Sequence, residues 1–121
     1  MKVRIIIDDI EPEIYKAMEK ADKLIASFNL DPKLKELVKV RTSQINGCGY
    51  CINYHTKDAR KLGETEQRLY ALSAWWETPF FNEEEQAALK FTEQVTNISL
   101  GGVSDEVFNK VLNIYGEQIF R

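Results

Sequence analysis

At 121 residues and 14.0 kDa, with 44% hydrophobic residues and a formal charge of −3, the chain has the size of one domain, commonly about 100–150 residues. Its 16 Lys and Arg against 19 Asp and Glu argue against nucleic acid as the main partner, because phosphate binding needs a basic excess or stripe. No apolar run approaches the roughly 18 residues of a membrane span, and Val3–Ile7, closed by Asp8 and Asp9, lacks the length and cleavage site of a signal peptide. The expected setting is therefore the cytoplasm, with no membrane partner.

In chain order, Val3–Ile7 is the one strand-like stretch, and nothing obvious pairs with it. The spacing predicts a first helix from Pro12 to Phe28, with Ile14, Met18, Ala21, Ile25 and Phe28 on one apolar stripe. Asp31 and Pro32 read as the N-cap and first residue of a second helix. That helix carries Leu34, Leu37, Val38 and Ile45 and stops before Gly47. A third begins near Cys48, presents Cys51, Ile52, His55, Ala59 and Leu62 on one side, and ends at Gly63. Thr65 caps a fourth helix running through Leu69, Leu72 and Trp76, which the loop Glu77–Phe81 breaks. Asn82 and Glu85 form a capping box for a fifth, through Ala88, Phe91, Thr92 and Val95, terminated by Gly101 and Gly102. Ser104 caps a sixth, with Val107, Phe108, Val111, Leu112 and Tyr115, ending near Gly116. The expected architecture is an all-α bundle of about six helices in a single domain, 1–121.

The reactive chemistry is concentrated. The chain has two Cys and one His, and all three fall between Cys48 and His55. Cysteines at i and i+3 on a helix opening are close enough for a disulfide, and helix-start N–H groups favour a thiolate. In a cytosolic chain, Cys-x-x-Cys is more often redox-active or metal-binding than a structural staple. His55, one turn after Cys51, is placed to stabilise a thiolate or exchange protons with it. If the second and third helices form a hairpin at Gly47, Glu36 stands about 15 Å before the turn and His55 about 10 Å after it. The two side chains are then within reach of each other through a water molecule. Several plainer readings stand beside this one. The cysteines are small buried hydrophobes; Cys48, Cys51, His55 and Glu36 are a metal set, although structural zinc sites usually carry a second Cys or His pair; Glu36 is a solvated helix residue. Trp75, Trp76, Phe80 and Phe81 are core or subunit contact before pocket lining.

The run Leu34-Lys35-Glu36-Leu37-Val38, then Arg41 to Cys51 and His55, resembles the alkylhydroperoxidase D-like branch of the carboxymuconolactone decarboxylase family. The likeness continues through Thr56–Arg60, Gly63-Glu64, Arg68-Leu69, Trp75 or Trp76, Phe80-Phe81 and Glu85–Leu89, covering roughly positions 12 to 115. It implies an all-helical fold, homo-oligomers (trimers or hexamers), and thiol-dependent peroxidase activity without metal or haem. It implies Cys51 as the peroxide-attacking thiolate, Cys48 as the resolving thiol, and Glu36 and His55 as the proton relay. The implied partners are a hydroperoxide substrate and an external dithiol reductant. The sequence departs from the best-known hydroperoxidases in having Tyr50, not histidine, between the cysteines, and relatives carry another helix after the stretch that ends here near Gly116. The rival readings are a disulfide reductase, a ring-cleavage-pathway (decarboxylase-like) enzyme, and a non-enzymatic, redox-responsive helical oligomer.

Overall fold

Helix-start signals decide where most elements begin. In a computed structural model of the chain, which describes residues 2–120, every element is helical. The described chain divides into two compact units, residues up to Asn29 and Leu30–Phe120.

In the first unit the stretch read as a strand finds no strand to pair with among the described residues, so its backbone groups have no ladder to join. It carries no regular structure up to Ile6, whose backbone is extended, and then turns into a short helix, α1 (Ile7–Ile10). Pro12 opens α2 (Pro12–Ala26). This helix stops two residues before the expected Phe28, where the Ser27 hydroxyl donates to the Leu24 carbonyl at 2.6 Å. The apolar stripe is present, but Ile14, Met18 and Ile25 on it are exposed.

In the second unit, α3 (Pro32–Asn46) starts where the Asp31 carboxylate accepts the Lys33 N–H at 3.2 Å. Leu34, Leu37, Val40 and Ser43 form its buried face, and Ser43 satisfies its hydroxyl on the Lys39 carbonyl at 2.6 Å. Gly47 ends the helix with φ 64°, ψ 29°, a left-handed conformation that costs an L-residue with a Cβ roughly 1–2 kcal/mol. That single reversal lets α4 (Gly49–Lys61) return along α3. Thr65 caps α5 (Glu66–Ala71), which passes into a tighter helical turn at Leu72–Glu77 interrupted at Ala74 (φ −133°, ψ 38°). The tighter turn repeats about every three residues, so Leu69, Leu72 and Trp75 share the buried face, whereas Trp76, expected on the stripe, is 56% exposed.

The Asn82–Glu85 capping box is formed in both directions at the start of α6 (Glu83–Thr96). Helix α6 ends before the glycines expected to stop it, and a single turn at Ile98–Leu100 bridges to them. Ser104 caps α7 (Asp105–Tyr115). Helix α3 packs against α4 and α6, and α6 against α7. Between them lie Leu37, Val40, Ala59, Leu69, Leu72, Trp75, Phe81 and Leu89, with Phe80 packed partly against the cluster. Arg68 ties this core together. Its guanidinium pairs with Glu64 and Glu85, donates to the Phe80 carbonyl at 2.9 Å, and lies 4.7 Å from the Phe81 ring centroid. Burial disfavours both charges of the Arg68–Glu85 pair. The hydrogen bond and attraction between them outweigh it, so the Glu85 carboxyl lies below the ordinary range and the Arg68 guanidinium above its own.

Candidate functional site

The hairpin of α3 and α4 assembles the reactive residues. Cys48 is the N-cap of α4, and its sulfur accepts the Cys51 N–H at 3.2 Å. Cys48 and Cys51 are joined as a disulfide with their Cα atoms 5.3 Å apart. Both are partly exposed, as a site that must meet another molecule requires. The helix-opening N–H thus points at Cys48, while His55 lies one turn beyond Cys51 on the same helix.

Glu36, on the facing helix, reaches His55 directly: Nδ1 and Oε2 are 3.0 Å apart. Helix rise alone leaves room for an intervening water; the two helices pack closely enough for direct contact. An ionised carboxylate only accepts, so a neutral imidazole in this contact would carry its hydrogen on Nδ1 and its lone pair on Nε2. The other Glu36 oxygen accepts from the Lys39 ammonium at 3.3 Å. Only 12% of the Glu36 side chain and 24% of the His55 side chain are exposed, which strengthens their interaction relative to one in water. The Tyr54 ring meets the imidazole edge-on at 5.2 Å and stacks on Tyr50 at 6.2 Å. Tyr50, the residue between the cysteines, is 78% exposed.

All four residues singled out in the sequence therefore lie on this one hairpin. Their grouping differs from the metal set considered there, because the two sulfurs are bonded to each other. Among the described residues, the His and carboxylate groups that converge are Glu36, His55 and Asp58, whose ligand atoms all lie within 4.8 Å of one another. Asp58 is not among the site residues that the sequence motif marks, yet its position three residues after His55 puts it on the same helical face. The aromatic quartet divides. Trp75 and Phe81 are buried, and the Trp75 indole N–H donates to Glu93 at 2.8 Å, an acceptor shared with Arg41. A groove of about 560 Å³ along α4 and α5 is lined by Gln44, Ile52, Thr56, Arg60, Leu69 and Tyr70 and contains none of the four.

Comparison with known proteins points one way. The sequence pattern of the carboxymuconolactone decarboxylase family matches residues 12–94. The uncharacterized protein YdfG of Bacillus subtilis (strain 168) is 43% identical over 118 residues, spanning 98% of this chain and 80% of that protein. Among solved structures, one from Agrobacterium tumefaciens is of unknown function and suggested to be the antioxidant defence protein AhpD. It superposes with a TM-score of 0.94 at 32% identity, over 98% of this chain and 82% of that one. The debrominase Bmp8, solved with 2,3,4-tribromopyrrole, superposes with a TM-score of 0.77 over 91% of this chain and 59% of its own. Its 24% identity makes that likeness one of fold.

Proposed function

Because the chain belongs to the carboxymuconolactone decarboxylase family, we propose that it is a thiol-dependent peroxidase that reduces hydroperoxides through Cys51 and Cys48. The observation that carries the reading is the Glu36–His55 contact on the hairpin that bears the Cys48–Cys51 disulfide.

In the reduced protein, His55 takes the Cys51 proton on Nε2, while Glu36 holds Nδ1–H and steadies the imidazolium. The Cys51 thiolate attacks the terminal peroxide oxygen and the O–O bond breaks. The departing alkoxide takes the proton from His55 and leaves as an alcohol, and Cys51 becomes a sulfenic acid. The Cys48 sulfur, favoured as a thiolate by the N–H of Cys51, then attacks the Cys51 sulfur. Hydroxide leaves, is protonated to water, and the disulfide forms. An external dithiol restores both thiols by two successive exchanges and ends as a disulfide itself. The cycle uses no metal or haem, and we place it in the cytoplasm, where dithiol reductants are maintained.

The test is hydroperoxide consumption with dithiothreitol as reductant. Wild type should turn over, and Cys51→Ser should abolish consumption. Pre-reduced and freed of dithiothreitol, Cys48→Ser should consume one equivalent of hydroperoxide and stop, with a sulfenic acid that dimedone traps. Equal rates in all three proteins overturn the reading; dithiol exchange without peroxide consumption points instead to a disulfide reductase.

A further inference from the structure

The donor set around His55 offers more than a proton relay. Glu36 from α3 faces His55 and Asp58, which stand at i and i+3 on α4, and the three ligand atoms lie within 4.8 Å of one another. Carboxylate and imidazole at i and i+3 on one helix, joined by a carboxylate from the facing helix, is how helical bundles build metal centres. Zinc ligands at about 2.0–2.1 Å in a tetrahedron stand roughly 3.3 Å apart. Glu36 Oε2 and His55 Nδ1, at 3.0 Å, are already near that spacing; an ion there takes the Nδ1 lone pair, so the imidazole hydrogen shifts to Nε2, and Asp58 closes on the pair by a rotation of its short side chain. The two carboxylates now pair with the ammonium groups of Lys39, at 3.3 Å, and Lys61, at 3.6 Å. Each lysine lies on the same helix as its carboxylate, and the Lys61 side chain is 77% exposed. A divalent ion can displace the Lys61 ammonium into water at small cost, since exposed ion pairs contribute little, and Lys39, hydrogen-bonded to the Glu36 oxygen that does not face His55, need not move.

We propose that Glu36, His55 and Asp58 bind one divalent transition-metal ion, with Zn²⁺ the fitting probe, whether the cysteines are reduced or oxidised. One imidazole and two carboxylates suit zinc, and three protein ligands leave a coordination position open. A neutral imidazole has a single lone pair to give, so an ion on His55 removes it as a base. This consequence rests on the peroxidase reading; the binding itself does not.

The experiment uses the tag-free, oxidised protein, in which the disulfide keeps both sulfurs from the metal. Zinc chloride is titrated in, followed by calorimetry and by the imidazole ¹⁵N resonances, which report on His55 alone because the chain has one histidine. One ion per chain, with the His55 signals moving in step, is the expected result. Asp58→Asn should weaken binding at least tenfold. Lys61→Met, which frees the Asp58 carboxylate, should tighten it several-fold, a gain that misfolding cannot mimic. Binding that leaves the His55 signals unmoved, that is equal in wild type and Asp58→Asn, or that occurs only in the reduced protein overturns the proposal. Loss of peroxide turnover in wild type, with zinc binding intact, overturns the peroxidase reading alone.

Discussion

Glu36 serves two partners at once, His55 on one oxygen and Lys39 on the other. Replacing it with Gln keeps the shape and removes the charge that steadies an imidazolium. Glu36→Gln should therefore slow peroxide-driven oxidation of Cys51 by about 10²-fold, the lower end for a positioned proton-transfer group, with folding stability little changed. Stopped-flow oxidation of the pre-reduced protein, beside a urea titration, separates the two quantities. A rate equal to wild type would remove Glu36 from the relay. Cys48 and Cys51 stand in different surroundings although they are joined: a backbone N–H serves Cys48, and His55 lies one turn beyond Cys51. Helix-opening reasoning alone favours Cys48 as the attacking thiol; the histidine favours Cys51. The serine pair of variants decides between them, since only the attacking cysteine is needed for the first equivalent of peroxide.

At the scale of elements, the hairpin depends on Gly47 and on the buried face of α3. Gly47 has φ 64°, and a Cβ built there would meet nothing within 4 Å. The cost of Gly47→Ala is thus conformational and not steric, about 1–2 kcal/mol in urea unfolding. Leu37, fully buried in the central cluster, should cost about 2–5 kcal/mol when truncated to Ala. The link between α5 and α6 is electrostatic. Glu85 titrates below its usual value because Arg68 and the Asn82 N–H outweigh the burial that opposes its charge. A carboxyl depressed on folding contributes stability that is fully present above its unfolded pKa and is lost as pH falls through the folded one. Stability should therefore decline below about pH 4.5, and Glu85→Gln should flatten that acid limb; an unchanged limb would show that other groups cause it. Tyr115 works at the opposite end of the scale. Burial foremost, with Glu84, Glu85 and Asp31 adding to it, pushes its phenol up to about 12, and its hydroxyl donates to the Glu84 carbonyl at 2.6 Å. Its contribution is whole below pH 10, the ordinary tyrosine value, and fades as pH rises toward 12.

At the scale of the whole molecule, no helix among the described residues is long and apolar enough to cross a membrane. Large apolar side chains are nevertheless exposed, including Ile14, Met18, Leu24 and Ile25 on α2 and Ile98 and Leu100 after α6. Exposed apolar patches of this kind commonly mark association surfaces. The homo-oligomer implied by the family resemblance should give a light-scattering mass three or six times the 14.0 kDa of one chain. A monomer mass at micromolar concentration would overturn that expectation.

The sequence by itself determined the helical character, the helix starts at Pro12, Pro32, Asn82 and Ser104, and the confinement of Cys48, Cys51 and His55 to one helix opening. These features are legible because caps and 3.6-residue periodicity act over a few neighbouring residues. The register of Glu36 opposite His55 was legible too, from helix rise and one turn glycine. Tertiary structure decided the rest. It brought Glu36 into direct contact with His55, added Asp58 to that pair, and used Arg68 to join Glu64, Glu85 and Phe81. It also buried Trp75 in place of Trp76, where the helix tightens at Leu72–Glu77. Helix rise places residues to within a turn. Whether two side chains touch, or admit a water or an ion, depends on differences of an ångström that only the packing of one helix on another sets.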